Sequence, residues 1–370
     1  MKALLSHEPG GPETLQLEDL PDPTVGPGGL LVRVRAAAIN FPDVLIIEDK
    51  YQLKPARPFA PGGEIAGVVE AVGEGVGSLA PGDHVVTLFS PQCRECAHCL
   101  DPRTNLCLAI REEQNQGFLP DGTTRLSRDG EPIRHFMGTS TFAEYTVMPE
   151  IALAKVAPEA PLDRACVFAC GLSTGLGAAL NTAKVEPGST CVVFGAGLVG
   201  LGAVAGCRLS GAWRIICVDP AEQRLDLARG QGAHDTIAGG PEVVEQIVEM
   251  TGGFGADYTF EATGLVAVMR QAVESARMGW GLATVCGVAG RGETLDVVPR
   301  FLITGRRVAG SSFGGVKGRD QVPQFVDRYL AGDIDVDPLI SHTLSLDEVN
   351  RGFDLMHAQD GIRSVISFDT

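Results

Sequence analysis

Apolar residues along the chain fall into short runs separated by Gly- and Pro-rich turns, and the spacing of those runs changes near residue 190. Over residues 1–90 the runs 30–35, 65–72 and 84–89 are rich in β-branched residues, punctuated by Pro81-Gly-Asp and a glycine cluster at 73–77. That pattern predicts a compact β-rich domain and leaves barrel and sandwich both open. Residues 108–150 are polar and turn-rich and end in a strand-like stretch at 142–148, so they read as an excursion that returns to the first domain. Residues 165–183 read as helical segments broken by Gly171, Gly175 and Gly177.

From Thr190 onward the pattern becomes regular. Strand-like runs near 190–194, 214–218, 256–262 and 282–288 alternate with helical stretches at 221–229, 242–250 and 266–276. Alternation of this kind predicts an α/β, doubly wound parallel sheet. A helical stretch at 322–330 and a last strand at 364–368 are expected to complete the first domain, since chain ends often pack together. The expected boundaries are 1–168, 169–312 and 313–370.

The chemistry begins where the first parallel strand ends. Thr190-Cys-Val-Val-Phe194 is followed at once by Gly195, Gly197 and Gly200, spaced G-x-G-x-x-G. In a strand–turn–helix, the three would permit a tight turn, admit a pyrophosphate to the backbone and let the helix pack close. The helix N-terminus would then face the phosphates. A second apolar run ends in Asp219, nineteen residues after Gly200, where the dinucleotide fold places a carboxylate for the adenosine ribose. A bare G-x-G-x-x-G is weak in a chain of 47 glycines; the second strand and its acid make it strong.

Cys93, Cys96, Cys99 and Cys107 follow the spacing C-x2-C-x2-C-x7-C. Four thiolates so close suit a closed, tetrahedral structural zinc in a lobe at 91–110, and the spacing matches neither common ferredoxin pattern. Cys191, Cys217 and Cys286 in expected strands and Cys207 in the first helix of the parallel sheet read as core.

The 370 residues exceed one ordinary core, and 44 % hydrophobic with 21 % charged residues is globular. A net charge of −16 speaks against nucleic acid or an anionic membrane and for a small-molecule ligand. Residues 187–207 carry no charge, but their glycines and strand-to-turn pattern argue against a membrane span. Without a long apolar N-terminal region, a cytoplasmic location with reduced or metal-bound cysteines is expected.

The chain resembles the medium-chain alcohol dehydrogenase superfamily over nearly its whole length. From about residue 90 onward it looks like class III alcohol dehydrogenase, the glutathione-dependent formaldehyde dehydrogenase, through Pro91-Gln-Cys, Thr104-Asn-Leu-Cys107, Met137-Gly-Thr-Ser-Thr-Phe142, Asn181-Thr-Ala-Lys-Val-Glu-Pro-Gly188 and Ser312-Phe-Gly-Gly315. Asn40-Phe-Pro-Asp43 and Pro61-Gly-Gly-Glu-Ile-Ala-Gly67 instead resemble the zinc-free quinone oxidoreductases. The resemblance implies a GroES-like catalytic domain beside a Rossmann domain and a homodimer or higher homo-oligomer. It also implies NAD(H) contacts at Thr174, Val199, Asp219, Arg224 and Arg363, with Arg111 at the position that meets the glutathione carboxylate.

The resemblance breaks at the catalytic metal. The family's three ligands fall on Asn40, Gly63 and Cys170, and its hydroxyl proton relay falls on Pro42; Asp43 and Glu64 are retained. Protein-bound zinc can lower the pKa of its water from 15.7 to about 7, roughly 12 kcal/mol of help toward an oxyanion. Without it, hydride delivery to a quinone, enone or other carbonyl suits the fold better than alcohol oxidation, with Asn40 and Tyr51 as candidate donors. Alcohol or S-(hydroxymethyl)glutathione oxidation through a zinc shell of Cys170, Glu64 and Asp43 is the alternative. A non-catalytic NAD-binding protein is a third reading.

Overall fold

The computed structural model describes residues 1–109 and 111–368, apart from the side chains of residues 111 and 112. The chain forms two compact units, residues 1–170 with 317–370 and residues 171–316.

The first unit is built on the strand Gly29–Ala38. Its inward positions Leu30, Val32, Val34 and Ala36 are buried while Arg33 faces solvent, the period of two expected of a half-covered strand. Ile65–Val72 pairs antiparallel with one edge of this strand. Its other edge is shared: Tyr145–Pro149 takes residues 29–33 and Arg363–Ser367 takes residues 36–38. His84–Thr87, Leu153–Lys155 and Ile340–Leu344 extend the sheet to seven strands. Both the excursion and the chain terminus therefore return to one strand. Phe59, Ile65, Phe142 and Phe353 fill the core beneath it.

The second unit is a six-stranded sheet, wholly parallel. Its order is Asp235–Ala238, Arg214–Asp219, Thr190–Phe194, Tyr258–Glu261, Leu282–Val285, Arg307–Gly310. Numbered by sequence, that is 3-2-1-4-5-6, the dinucleotide-binding order, in which strand order reverses between Thr190–Phe194 and Tyr258–Glu261. Central strands such as Arg214–Asp219 are buried almost throughout, because helices cover both faces. The edge strands Asp235–Ala238 and Arg307–Gly310 are short; the first is half-buried and the second largely exposed, which is why no apolar run announces them.

Two sequence expectations need correction. The strand expected at 282–288 ends at Val285, so Cys286 lies in the turn beyond it. The glycines at 175 and 177 do not break the helical region: Gly171–Gly177 is helical and runs on through Ala178–Ala183. Their role is close packing. A Cβ on Gly175 would stand 2.0 Å from the Val199 carbonyl oxygen and one on Gly177 would stand 2.4 Å from Val316. Among the described residues no single helix is long and apolar enough to cross a membrane.

Gly175→Ala should therefore lower stability by about 3 kcal/mol, because the clash is with backbone. Gly230, exposed in the helix Glu222–Gln231 with open space where its Cβ would go, makes the control. Gly230→Ala should be neutral or stabilising by up to about 1 kcal/mol. Denaturant titration of both variants reads the contrast.

Candidate active site and cofactor cradle

In the second unit the cradle grows from the turn after Thr190–Phe194. Gly195 has φ of +93°, and its N–H donates to the Val218 carbonyl. Gly197 caps the helix Leu198–Leu209, and a Cβ there would meet nothing within 4 Å, so the space above the helix N-terminus is open. A Cβ on Gly200 would stand 1.7 Å from the Gly195 carbonyl oxygen; this approach seats the helix against the turn. Asp219, 4 % exposed, receives the Ala196 N–H at 2.7 Å and the Ala221 N–H at 2.9 Å. One carboxylate thus ties the glycine turn to the next strand's end. Arg224 lies in the first turn of Glu222–Gln231, beyond Asp219. Thr174 is buried beside Gly175, and Val199 is half-buried in the first turn of Leu198–Leu209.

In the first unit the backbone leaves Gly29–Ala38 and turns at Asn40 into the helix Phe41–Ile47. Asp43, in the first turn, receives the Asn40 N–H at 2.9 Å and the Gly62 N–H. Pro42 fits the second helical position, where no N–H is needed. The Asn40 side chain also hydrogen-bonds the Cys170 thiol. Glu64 is fully buried with the Arg363 guanidinium 3.5 Å away, and Arg363 donates to the Ile39 carbonyl. Tyr51 is buried, its ring edge-on to Phe136 at 6.0 Å.

The electrostatics follow from two buried acids sharing one buried cation. Burial, reinforced by the Glu64 charge, lifts the Asp43 carboxyl to about 7 against the N–H groups of Asn40 and Gly62 and the Arg363 charge. Burial and Glu64 also push the Cys170 thiol well up, and burial with the nearby Cys170 and Asp43 does the same to the Tyr51 phenol. Cys170 and Tyr51 are therefore neutral proton donors at physiological pH.

The four lobe cysteines converge, with all four sulfurs within 4.8 Å of one another. The N–H groups of Leu108 and Cys99 point at Cys96 and, against burial, hold its thiol near about 6. Lys317 anchors the lobe, donating to the carbonyls of Cys99 at 2.6 Å and Asp101 at 2.9 Å. The donor set fits a closed tetrahedral zinc, which would supply folding energy and no reactive position.

Known proteins place this architecture. The zinc-binding dehydrogenase family matches residues 199–331 and the alcohol dehydrogenase GroES-like domain family matches residues 26–158. The chain is 52 % identical over 312 residues to alcohol dehydrogenase class-3 of Myxine glutinosa, covering 84 % of this chain and 83 % of that one. It is 44 % identical over 369 residues to S-(hydroxymethyl)glutathione dehydrogenase of Escherichia coli O157:H7, 99 % of both chains. The chain belongs to the medium-chain alcohol dehydrogenase family. Solved structures agree: an alcohol dehydrogenase zinc-binding domain protein from Burkholderia ambifaria superposes with a TM-score of 0.91 at 32 % identity, covering 100 % of this chain and 99 % of that one. Benzyl alcohol dehydrogenase from Acinetobacter calcoaceticus gives 0.90 at 28 %, covering 99 % and 98 %.

Against the family's catalytic zinc, the residues of the first unit do not fit. Cys170 is hydrogen-bonded to the Asn40 side chain, Glu64 faces Arg363, and Asp43 accepts the N–H groups of Asn40 and Gly62. Among the described residues, the lobe is the one place where three or more ligand side chains converge. Gly63 offers no donor, and a Cβ there would meet only Thr139 at 3.7 Å and Phe136 at 3.9 Å, ordinary contacts that a small side chain could make.

Arg363, the implied pyrophosphate contact, lies in the first unit on Glu64 and Ile39. The Arg111 side chain lies outside the described residues. The sequence reading passed over Thr139, which donates to the Gly62 carbonyl at 2.9 Å and fixes the turn before Glu64. It also passed over Glu261, an acid at the end of a buried strand; the signal was a charge inside the run Tyr258-Thr-Phe-Glu261.

Asp43 makes this burial measurable. Its folded pKa, about 7, lies above the ordinary carboxylate value of 3.8, so between those limits the folded chain binds the extra proton. Its contribution to stability must fall as pH rises from about 4 to about 7 and then level off, by on the order of 4 kcal/mol in all. Asp43→Asn should gain on the unmodified protein by that amount over the same window in denaturant titrations. Parallel pH curves for the two would contradict the assignment.

Proposed function

We propose that the chain is an NAD-dependent oxidoreductase that moves hydride between nicotinamide and an electrophilic carbonyl compound, a quinone, enone or aldehyde, without a full catalytic zinc. The observation that carries this reading is the donor set of the first unit: the Asn40 amide is hydrogen-bonded to the Cys170 thiol, and Gly63 has no side chain to offer a metal. Asp219 speaks for NAD over NADP. A 2′-phosphate within about 4 Å of it would meet repulsion of up to about 4 kcal/mol per unit charge at an effective dielectric of 20.

The glycine turn at Gly195, Gly197 and Gly200 with Asp219 would hold the dinucleotide, whose reduced nicotinamide would supply the hydride. The first unit supplies neutral donors. The Asn40 amide would hydrogen-bond the oxygen on which charge develops, and the buried Tyr51 hydroxyl would hand it a proton. Asp43 acts through Asn40, whose N–H it holds.

A second reading has its own support. The relatives at 44–52 % identity are named class-3 alcohol dehydrogenase and S-(hydroxymethyl)glutathione dehydrogenase, and those names weigh toward a zinc-dependent oxidation. It would require Glu64 or Asp43 to leave its present partner and join Cys170 on the metal. In either reading, the exposed Leu302 and Ile303 of the helix Pro299–Ile303, with Val308 on the edge strand that follows, support a homo-oligomer.

The readings separate in one assay series. The unmodified protein should reduce enones, quinones or aldehydes with NADH at a rate that a chelator able to strip exchangeable zinc leaves unchanged. Asn40→Cys with Gly63→His should raise zinc toward two per chain, and with Pro42→Ser added to restore the proton relay, alcohol oxidation with NAD should rise by at least about tenfold, as Lewis-acid help would allow. Alcohol or S-(hydroxymethyl)glutathione oxidation by the unmodified protein, lost to the chelator and restored by zinc, would establish the second reading.

A further inference from the structure

The strand Tyr258–Glu261 lies just past the point where the parallel sheet reverses its order, and it ends in a carboxylate with no exposure to solvent. Glu261 uses its groups unevenly. One carboxylate oxygen, Oε1, accepts the Thr263 N–H at 2.6 Å, the Thr263 hydroxyl at 2.6 Å and the Gly264 N–H at 2.8 Å. The backbone carbonyl accepts the N–H groups of Cys286 at 2.8 Å and Gly287 at 3.1 Å. The other carboxylate oxygen, Oε2, has no hydrogen-bond partner, and a Cβ on Gly287 would stand 2.7 Å from it. Among the described residues no lysine, arginine or histidine forms an ion pair with Glu261.

A buried carboxylate without a cation is costly, and a turn could be tied by a neutral acceptor instead. The position suggests what the charge does. In a sheet ordered 3-2-1-4-5-6, the cofactor lies across the carboxyl ends of the strands, one mononucleotide over each half. Asp219 and the glycine turn mark the adenosine half. Tyr258–Glu261 opens the other half, and its turn packs directly on the glycine turn: a Cβ on Gly195 would stand 2.8 Å from the Thr263 methyl group. By that order Glu261 would lie on the nicotinamide side of the cofactor. The nicotinamide ring is the part of the cofactor whose charge changes, from a cation when oxidised to neutral once it has accepted hydride.

We propose that Glu261 is an electrostatic positioning residue whose buried carboxylate favours the oxidised over the reduced nicotinamide and so sets the balance of affinities for NAD and NADH. The inference rests on reading the second unit as an NAD site. It does not depend on which carbonyl compound is reduced or on any zinc. Two parts of the residue act separately: Oε1 and the carbonyl hold the turns at 263–264 and 286–287, while the net charge discriminates between redox states.

Equilibrium titration of the full-length protein with NAD and with NADH tests it, comparing the unmodified chain with Glu261→Gln, Glu261→Met and Thr263→Ala. Glu261→Gln keeps an acceptor for the turn and removes the charge. It should weaken NAD relative to NADH by on the order of tenfold, the scale of one charge acting through a partly buried site. Glu261→Met, which covers the case in which the amide fails to fold, should move the ratio the same way. Thr263→Ala, which loosens the turn and leaves the charge, should weaken both forms alike. An unchanged ratio in both Glu261 variants, with binding retained, would overturn the proposal and leave the NAD reading standing. Failure of the unmodified protein to bind either form would overturn both.

Discussion

The contact between the Asn40 N–H and the buried Asp43 carboxylate, 2.9 Å long, is the constraint around which the first unit's polar site is arranged. It fixes where the strand Gly29–Ala38 turns into the helix Phe41–Ile47 and so where the Asn40 amide points. Because Asp43 is engaged there and Glu64 faces Arg363, neither acid is free to replace the two missing metal ligands without breaking a buried interaction. Such a rupture costs several kcal/mol when the abandoned partner stays buried. The same commitments leave Cys170, Tyr51 and Asn40 as neutral donors, which under the proposed function would stabilise a nascent oxyanion.

The second unit shows the opposite economy. Its cradle departs in no residue from what dinucleotide binding requires: an open helix N-terminus at Gly197, a close approach at Gly200 and a buried acid at Asp219. Under the proposed function, an intact cradle would keep the hydride donor while the altered metal shell would change the electrophile it serves. The four-cysteine lobe is likewise complete, and Lys317 and the Arg94–Asp320 ion pair hold it to the first unit.

The features most legible in sequence were those set by local rules. G-x-G-x-x-G after an apolar strand, Asp219 at the end of the next and four cysteines within fifteen residues each specify a geometry through covalent spacing. Central parallel strands were visible because burial on both faces demands continuous apolar runs. The edge strands Asp235–Ala238 and Arg307–Gly310 were not, since solvent on one side removes that demand. Gly175 and Gly177 looked like helix breakers because sequence does not display the backbone they pack against. The pairing of Glu64 with Arg363 joins residues about 300 positions apart, and no local pattern could announce it.

X-ray absorption at the zinc edge of the purified, zinc-replete protein tests the central claim most directly, since it reads the donor atoms themselves. The account predicts a single population of zinc with four sulfur neighbours at about 2.3 Å, from Cys93, Cys96, Cys99 and Cys107. A first shell that mixes sulfur with oxygen or nitrogen at about 2.0–2.2 Å, in protein carrying a second zinc per chain, would contradict it.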